Sequence, residues 1–205
     1  MSSLALLGGQ PVRNKPFPLW PQATENEKRL INQVVESNGW GIFRGQLISE
    51  LGIKFADYHK VNYAIPCSNA TIGLQVQLQA LGIRRGDEVI TTIFTCISTI
   101  SAITAIGAIP IFVDIQVEDY CINTELIEQK ITSKTKAIVA VHLYGSICDL
   151  DKLTEISKKH NISLVEDSAQ VPGSFWNGKA VGTFGASGSF SFQEAKVMTS
   201  GEGVM

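Results

Sequence analysis

Between Val89 and Val113 the chain carries no charged side chain, and the nature of that run decides what the protein can fold into. It is long enough to cross a bilayer. Thr and Ser interrupt it throughout, however, and Gly107 and Pro110 break it late. Its ends, DEVITT and IPIFVD, are short apolar runs of the kind that form buried strands. ISTISAITAIG between them has the length of a helix. The run therefore reads as strand, helix, strand rather than as a membrane span, because the same alternation continues on both sides.

Upstream, TENEKRLINQVVES (24–37) predicts a helix capped by Thr24 and ended at Asn38-Gly39, with a second helix over 46–59. NYAIPC (62–67) reads as a short strand and TIGLQVQLQALG (71–82) as a helix closed by Gly82. The uncharged run then supplies a strand (87–92), a helix (97–107) and a strand (109–115). Downstream come a short helix (124–131), a strand (136–144), and a helix (149–160) with Asp149 as cap and basic residues in its last turn, where they suit the dipole. A strand (162–167), a hairpin on the Asn177-Gly178 turn and a last strand (187–192) follow. Near-continuous apolar strands alternating with helices predict an α/β fold, a mostly parallel sheet covered on both faces. The division expected is a helical N-terminal segment, 1–60, and one large domain, 61–205.

Composition excludes several classes. Apolar residues make up 44% and charged residues 18% of the 205-residue chain, which is globular rather than disordered. A net charge of −2 without a basic cluster argues against nucleic acid. The four cysteines and three histidines show no metal-ligand spacing, so neither zinc nor a disulfide framework is expected. Scattered cysteines suit a reducing cytoplasm, and the opening MSSLALLGGQPVR lacks the basic start of a secretory signal. GSFWNGKA nearly matches a phosphate-binding loop, but Ala180 lacks the required hydroxyl and the Asn-Gly turn makes a hairpin. No G-x-G-x-x-G follows the first strand.

In a parallel α/β sheet ligands bind beyond the carboxyl ends of the strands, so polar residues there are the candidates. CSNATIGL puts a polar turn at a helix start. Either Ser68 or Asn69 merely caps the helix, or the free amides of Ala70 and Thr71 receive an anion. Asp167 ends the strand 162–167, as a helix cap or as a partner for a ligand. SFSFQEAKVMTSGEG runs from a Ser/Phe strand into a turn carrying Lys196. A lysine there, beside Val197 and Met198, is placed to be desolvated and to act as a nucleophile. An anion cradle, an acid and a lysine at strand ends are the set required by pyridoxal 5′-phosphate (PLP), in which the acid keeps the pyridine nitrogen protonated and the lysine holds the aldehyde.

These stretches, with LALLGGQPV, GDEVITT, GAIPIFVDI, VHLYG, VEDSAQ and GEG, resemble the DegT/DnrJ/EryC1/StrS aminotransferases, PLP enzymes of amino-sugar and aminocyclitol biosynthesis, over essentially the whole chain. The resemblance implies the fold type I large domain of PLP-dependent transferases. It implies Lys196 as the Schiff-base lysine, Asp167 on the pyridine nitrogen and Gln170 beside the ring and its 3-hydroxyl. Ser191 with the amides of Ala70 and Thr71 would take the phosphate, and Cys96 would occupy the ring-stacking position. The implied reaction moves an amino group from Glu or Gln to a keto-sugar or keto-cyclitol in a homodimer. The LALLGGQPV and PLWPQ stretches lean toward the aminocyclitol and aminohydroxybenzoate branch. Some relatives are sugar dehydratases with His in place of the lysine, which Lys196 argues against.

The chain departs from the family in four respects. Cys96 stands where an aromatic is usual, with Phe94 a weaker substitute, and Ala70 stands where Gly is usual. Gly201-Glu202-Gly203-Val204 replaces GEGG. Family enzymes also continue well over a hundred residues beyond this point, through the rest of the large domain and a small C-terminal domain. An N-terminal, catalytically incomplete portion of such an enzyme is therefore also expected.

Overall fold

A computed structural model describes residues 3–205. Met1 and Ser2, the first residues of the expected 1–60 segment and of its MSSLALLGGQPVR opening, lie outside the described residues. Helices α1 (Glu25–Ser37), α2 (Gly41–Arg44), α3 (Gln46–His59) and α4 (Ala70–Ala80) precede the sheet. There follow β1 (Glu88–Thr92), α5 (Ile97–Ala105), β2 (Ile109–Val113), β3 (Thr135–Val141), α6 (Leu150–His160), β4 (Ser163–Asp167), the hairpin β5 (Phe175–Trp176) and β6 (Lys179–Ala180), and β7 (Ser187–Ser189). Five parallel strands form one sheet in the order β2-β1-β3-β4-β7. The uncharged run is thus divided among β1, α5 and β2, and among the described residues no helix is long and apolar enough to cross a membrane.

Strand periodicity builds two cores, because successive side chains leave opposite faces. Ile90, Ile138, Ala140 and Leu164 pack on one face with Leu150, Leu153 and Ile156 of α6. Val89, Ala137, Val139, Val141 and Val165 pack on the other with Leu74 and Leu78 of α4 and Ala102 and Ile103 of α5. Both faces are covered, so the strands have no polar side and read as continuous apolar runs.

Helix ends follow their capping residues. Thr24 caps α1 in a capping box with Glu27, and Asp149 caps α6 by accepting from the Lys152 amide at 2.9 Å. α4 begins at Ala70, one residue ahead of expectation, because the Asn69 side chain accepts from the Ile72 amide.

Several expected elements differ. Residues 62–67 do not form a strand. Cys67 alone pairs, through antiparallel bonds with Val204, and without a ladder partner the others stay irregular. The expected helix 124–131 is two 3₁₀ turns, Thr124–Leu126 and Glu128–Lys130. So short a segment cannot offset the cost of α-helix nucleation; Ile127 is buried there and Glu128 bonds Lys159 and His160. The expected strand 187–192 leaves the parallel sheet after Ser189, because β4 ends at Asp167. Phe190 and Phe192 instead bond back to Met205 and Gly203. The expected helices 71–82 and 97–107 stop at Ala80 and Ala105, ahead of Gly82 and Gly107 in left-handed conformation.

Two side chains tie the elements together. The Glu166 carboxylate, fully buried, accepts from the amides of Gly182 (2.7 Å), Phe184 (2.6 Å) and Gly185 (2.9 Å), with the His142 ring at 3.4 Å. His59 stacks on Phe55 at 4.2 Å, packs on Phe190 at 4.7 Å, and bonds the Phe55 carbonyl through Nδ1. It joins α3 to the segment after β7.

Glu166→Ala leaves buried amides without acceptors, each costing about 1–3 kcal/mol; urea denaturation is expected to show a loss of at least about 3 kcal/mol. Burial lowers the His59 pKa against an opposing bond to Phe55, so the unfolded chain takes up this proton more readily than the folded one. The stability that neutral His59 contributes is full above its unfolded value of about 6.5 and declines as pH falls below it. Thermal midpoints measured between pH 7.5 and 5.5 are expected to fall less steeply in His59→Phe than in the parent chain.

Candidate active site

The strand order β2-β1-β3 reverses the direction in which the chain builds the sheet, and the carboxyl ends of β1 and β3 flank that switch point, the usual ligand position in open α/β sheets. α4 starts at the same end, and β4 and the segment after β7 finish there. A cavity of about 400 Å³ lies among them, and Ala70, Thr71, Cys96, Asp167, Gln170, Ser191 and Lys196 all line it. All the site residues singled out in the sequence therefore meet in one space, within the usual size range of ligand pockets. Asp114, also just past a strand, does not; its carboxylate accepts from the Ile115 amide.

The two readings of the α4 turn turn out to be compatible. Asn69 caps the helix through the Ile72 amide at 3.0 Å. The amides of Ala70 and Thr71, ahead of the first intrahelical bonds, make no hydrogen bond among the described residues and border the cavity. Ser191 is buried, and its hydroxyl accepts only a 3.3 Å bond from the Gln193 amide. Two free amides and a hydroxyl at a helix N-terminus suit a phosphate.

Asp167 is buried, and its Oδ2 accepts from the Thr99 hydroxyl at 2.7 Å while Oδ1 accepts from the Ala169 amide at 3.3 Å. Burial raises its pKa, against those two bonds. No ion pair reaches it among the described residues. A buried carboxylate short of a cation fits a protonated ring nitrogen.

Gln170 accepts from the Tyr144 amide at 2.9 Å through Oε1, which leaves its carboxamide nitrogen as the free donor. Lys196 is half-buried in a tight turn closed by its amide on the Gln193 carbonyl at 2.9 Å. The apolar setting expected from Val197 and Met198 is absent. Their side chains are exposed (76% and 43%), because the turn throws them outward. The Trp20 indole donates to the Glu194 carbonyl at 2.9 Å, so the N-terminal segment reaches the lysine turn.

Cys96 precedes α5, exposed, with its sulfur 3.4 Å from the Ser98 hydroxyl. Phe94 is not among the lining residues, none of which is Phe, Tyr or Trp. It faces Tyr120 and Tyr144 instead. Val204, the departure from GEGG, is buried and pairs with Cys67 and Ser191.

Sequence reading missed Thr99 and left His142 and Glu202, which stand in the VHLYG and GEG stretches, without a role. Thr99 lies three residues past Cys96, on the first turn of α5, and that spacing was the available signal. His142 lines the cavity, and its Nδ1 accepts from the Cys148 amide at 3.1 Å. Its proton therefore sits on Nε2, toward Glu166. Glu202, the acid of the GEG stretch, also borders the cavity. Among the described residues no group of three or more His, Cys, Asp or Glu is arranged to hold a metal ion.

Comparison with known proteins agrees with this geometry. Residues 21–205 match the model of the DegT/DnrJ/EryC1/StrS aminotransferase family. An L-glutamine:2-deoxy-scyllo-inosose aminotransferase of Streptomyces kanamyceticus is 42% identical over 98% of this chain and 48% of its own length. The crystal structure of an aminotransferase from Psychrobacter cryohalolentis superposes with a TM-score of 0.90 at 41% identity, over 92% of this chain and 48% of that one. A protein of Streptococcus pneumoniae described as a sugar aminotransferase, in its PLP form, superposes with a TM-score of 0.86 at 34% identity, over 94% of this chain and 52% of that one. The chain spans about half the length of the curated relatives it matches. By sequence and by fold, the chain belongs to the DegT/DnrJ/EryC1/StrS aminotransferase family.

Proposed function

We propose that this chain is the cofactor-binding half of a PLP-dependent aminotransferase that moves an amino group from Glu or Gln to a keto-cyclitol or keto-sugar. The observation that carries the reading is the convergence of an anion cradle, a buried unpaired acid and a lysine in one cavity. Glutamine and an inosose stand in the name of the Streptomyces kanamyceticus relative, which favours the cyclitol branch. A dehydratase is disfavoured by the lysine at 196. A homodimer in the cytoplasm is the state we expect of the whole enzyme.

The Ala70 and Thr71 amides with Ser191 would hold the phosphate, Asp167 the ring nitrogen, Gln170 the 3-hydroxyl, and Lys196 the aldehyde carbon. Cys96 would lie where relatives stack an aromatic on the ring. When bound, PLP supplies an electron-poor ring that stabilises a carbanion. Asp167, buried at the end of β4, would hold a proton on that ring nitrogen. Thr99 holds the carboxylate in position by its hydrogen bond. The Lys196 amine would take the proton from the amino donor's α-carbon and deliver it to the carbon that had been the cofactor's aldehyde, so that the amino group is transferred. Its half-exposed turn leaves it free to swing.

A second reading, a portion of the enzyme that binds cofactor without turning over, is favoured by the coverage of about half of each relative.

Borohydride reduction of the chain with PLP, followed by peptide mapping, is expected to place the pyridoxyl mass mainly on Lys196. Label scattered over surface lysines would overturn the assignment. Lys196→Ala is expected to lose that label and keep weaker, phosphate-driven binding. For Asp167→Asn the two states of the chain separate. Removing a buried carboxylate whose pKa is raised relieves a penalty that grows as pH rises through the acid range. The thermal midpoint of the cofactor-free variant at pH 7 is therefore expected to hold or rise, while the upward shift caused by PLP shrinks.

A further inference from the structure

Phe94, Tyr120 and Tyr144 follow β1, β2 and β3 at the end of the sheet where the cavity opens. Phe94 lies 5.8 Å from Tyr120 and 6.4 Å from Tyr144, ring centre to ring centre. All three are exposed, at 42%, 48% and 76%. The two tyrosines are also in left-handed backbone conformation, φ 62° for Tyr120 and φ 53° for Tyr144. The other non-glycine residues with positive φ are Asn38, Lys60, Asn161 and Asn177, of which three end helices and the fourth makes the hairpin turn. A bulky aromatic in this conformation is strained, and strain of this kind persists where a function requires it.

The rim adjoins the cavity directly. The Tyr144 amide donates to Gln170, and Phe94 is next to Thr95 and two residues from Cys96, all of them lining residues.

We propose that Phe94, Tyr120 and Tyr144 form an aromatic platform that binds the ring face of the acceptor, a polyhydroxylated six-membered cyclic ketone. This rests on the aminotransferase reading and deepens it. A ring whose hydroxyls are equatorial presents axial C–H bonds on each face, and these pack against the electron-rich faces of aromatic rings. Its hydroxyls remain at the edge, within reach of the phenol groups. The platform specifies ring shape, while the cavity specifies the cofactor.

The strained backbone supplies a test that keeps the fold intact. Glycine adopts positive φ without penalty, so Tyr120→Gly and Tyr144→Gly remove a ring while easing the backbone. The full chain, incubated with PLP and examined for label at Lys196, is titrated with 2-deoxy-scyllo-inosose by calorimetry, with sedimentation run in parallel. Each variant is expected to keep or raise the thermal midpoint, to keep the parent affinity for PLP, and to bind the ketone about tenfold more weakly, the scale of a lost aromatic contact with its buried area. Unchanged ketone affinity in both variants, or no ketone binding by the parent chain, overturns the platform. So does a loss of self-association with ketone affinity intact, which would make the rim an interface between copies. If Lys196 carries no label, the cofactor reading fails by itself. The platform is then still decided by the titration, since its rings are not among the cavity's lining residues.

Discussion

The Glu166 carboxylate is the point on which the geometry of the site depends. A buried charge is tolerated only when its lone pairs are filled. Glu166 meets that condition with three amides from the 182–185 loop and the His142 ring. Each donor comes from a segment that also carries part of the cavity. The loop leads into β7 and on to Ser191 and Lys196. His142 directly follows β3 and stands two residues before Tyr144, whose amide holds Gln170. Glu166 itself is the neighbour of Asp167. One carboxylate therefore links the segments that carry Asp167, Gln170, Ser191 and Lys196.

Adjacent residues on β4 divide two tasks by strand parity. Glu166 points to the α6 face, where it is saturated with donors and serves the fold. Asp167 points to the α4–α5 face, where Thr99 and Ala169 give it only two bonds and burial raises its pKa. The first acid is neutralised by the protein itself, and the second is left for a ligand. The same contrast separates Asn69, whose side chain is used in capping, from the Ala70 and Thr71 amides, which are not. The site is the set of polar groups that the fold buries or aligns without satisfying.

Close to the cavity the chain also loses regular structure. Residues 62–67 and 190–205 are held by scattered antiparallel bonds, Cys67 with Val204 and Phe190 with Met205. Residues 189–192 alternate Ser with Phe, so Ser189 is buried beside α4 and Ser191 beside the cavity. The phenylalanines turn to His59 and Phe55 of α3. In this way the N-terminal helices are anchored to the segment that carries the lysine, an attachment that Trp20 repeats on Glu194.

The sequence alone determined the alternation of strands and helices, because a strand buried on both faces must be apolar throughout and a helix end must be capped. Val89–Val113, Thr24 and Asp149 each declare this locally. It also marked residues that line the cavity, since Ala70, Thr71, Asp167 and Lys196 stand at strand or helix ends where a parallel sheet places its ligands, and the family resemblance added Ser191. Only the tertiary structure decided what each of these residues has for neighbours. Thr99 on Asp167, the four donors on Glu166, the outward Val197 and Met198, and the meeting of Phe94 with Tyr120 and Tyr144 all involve partners brought together by strand order. Strand order is a property of non-local pairing, and no local pattern in the chain encodes it.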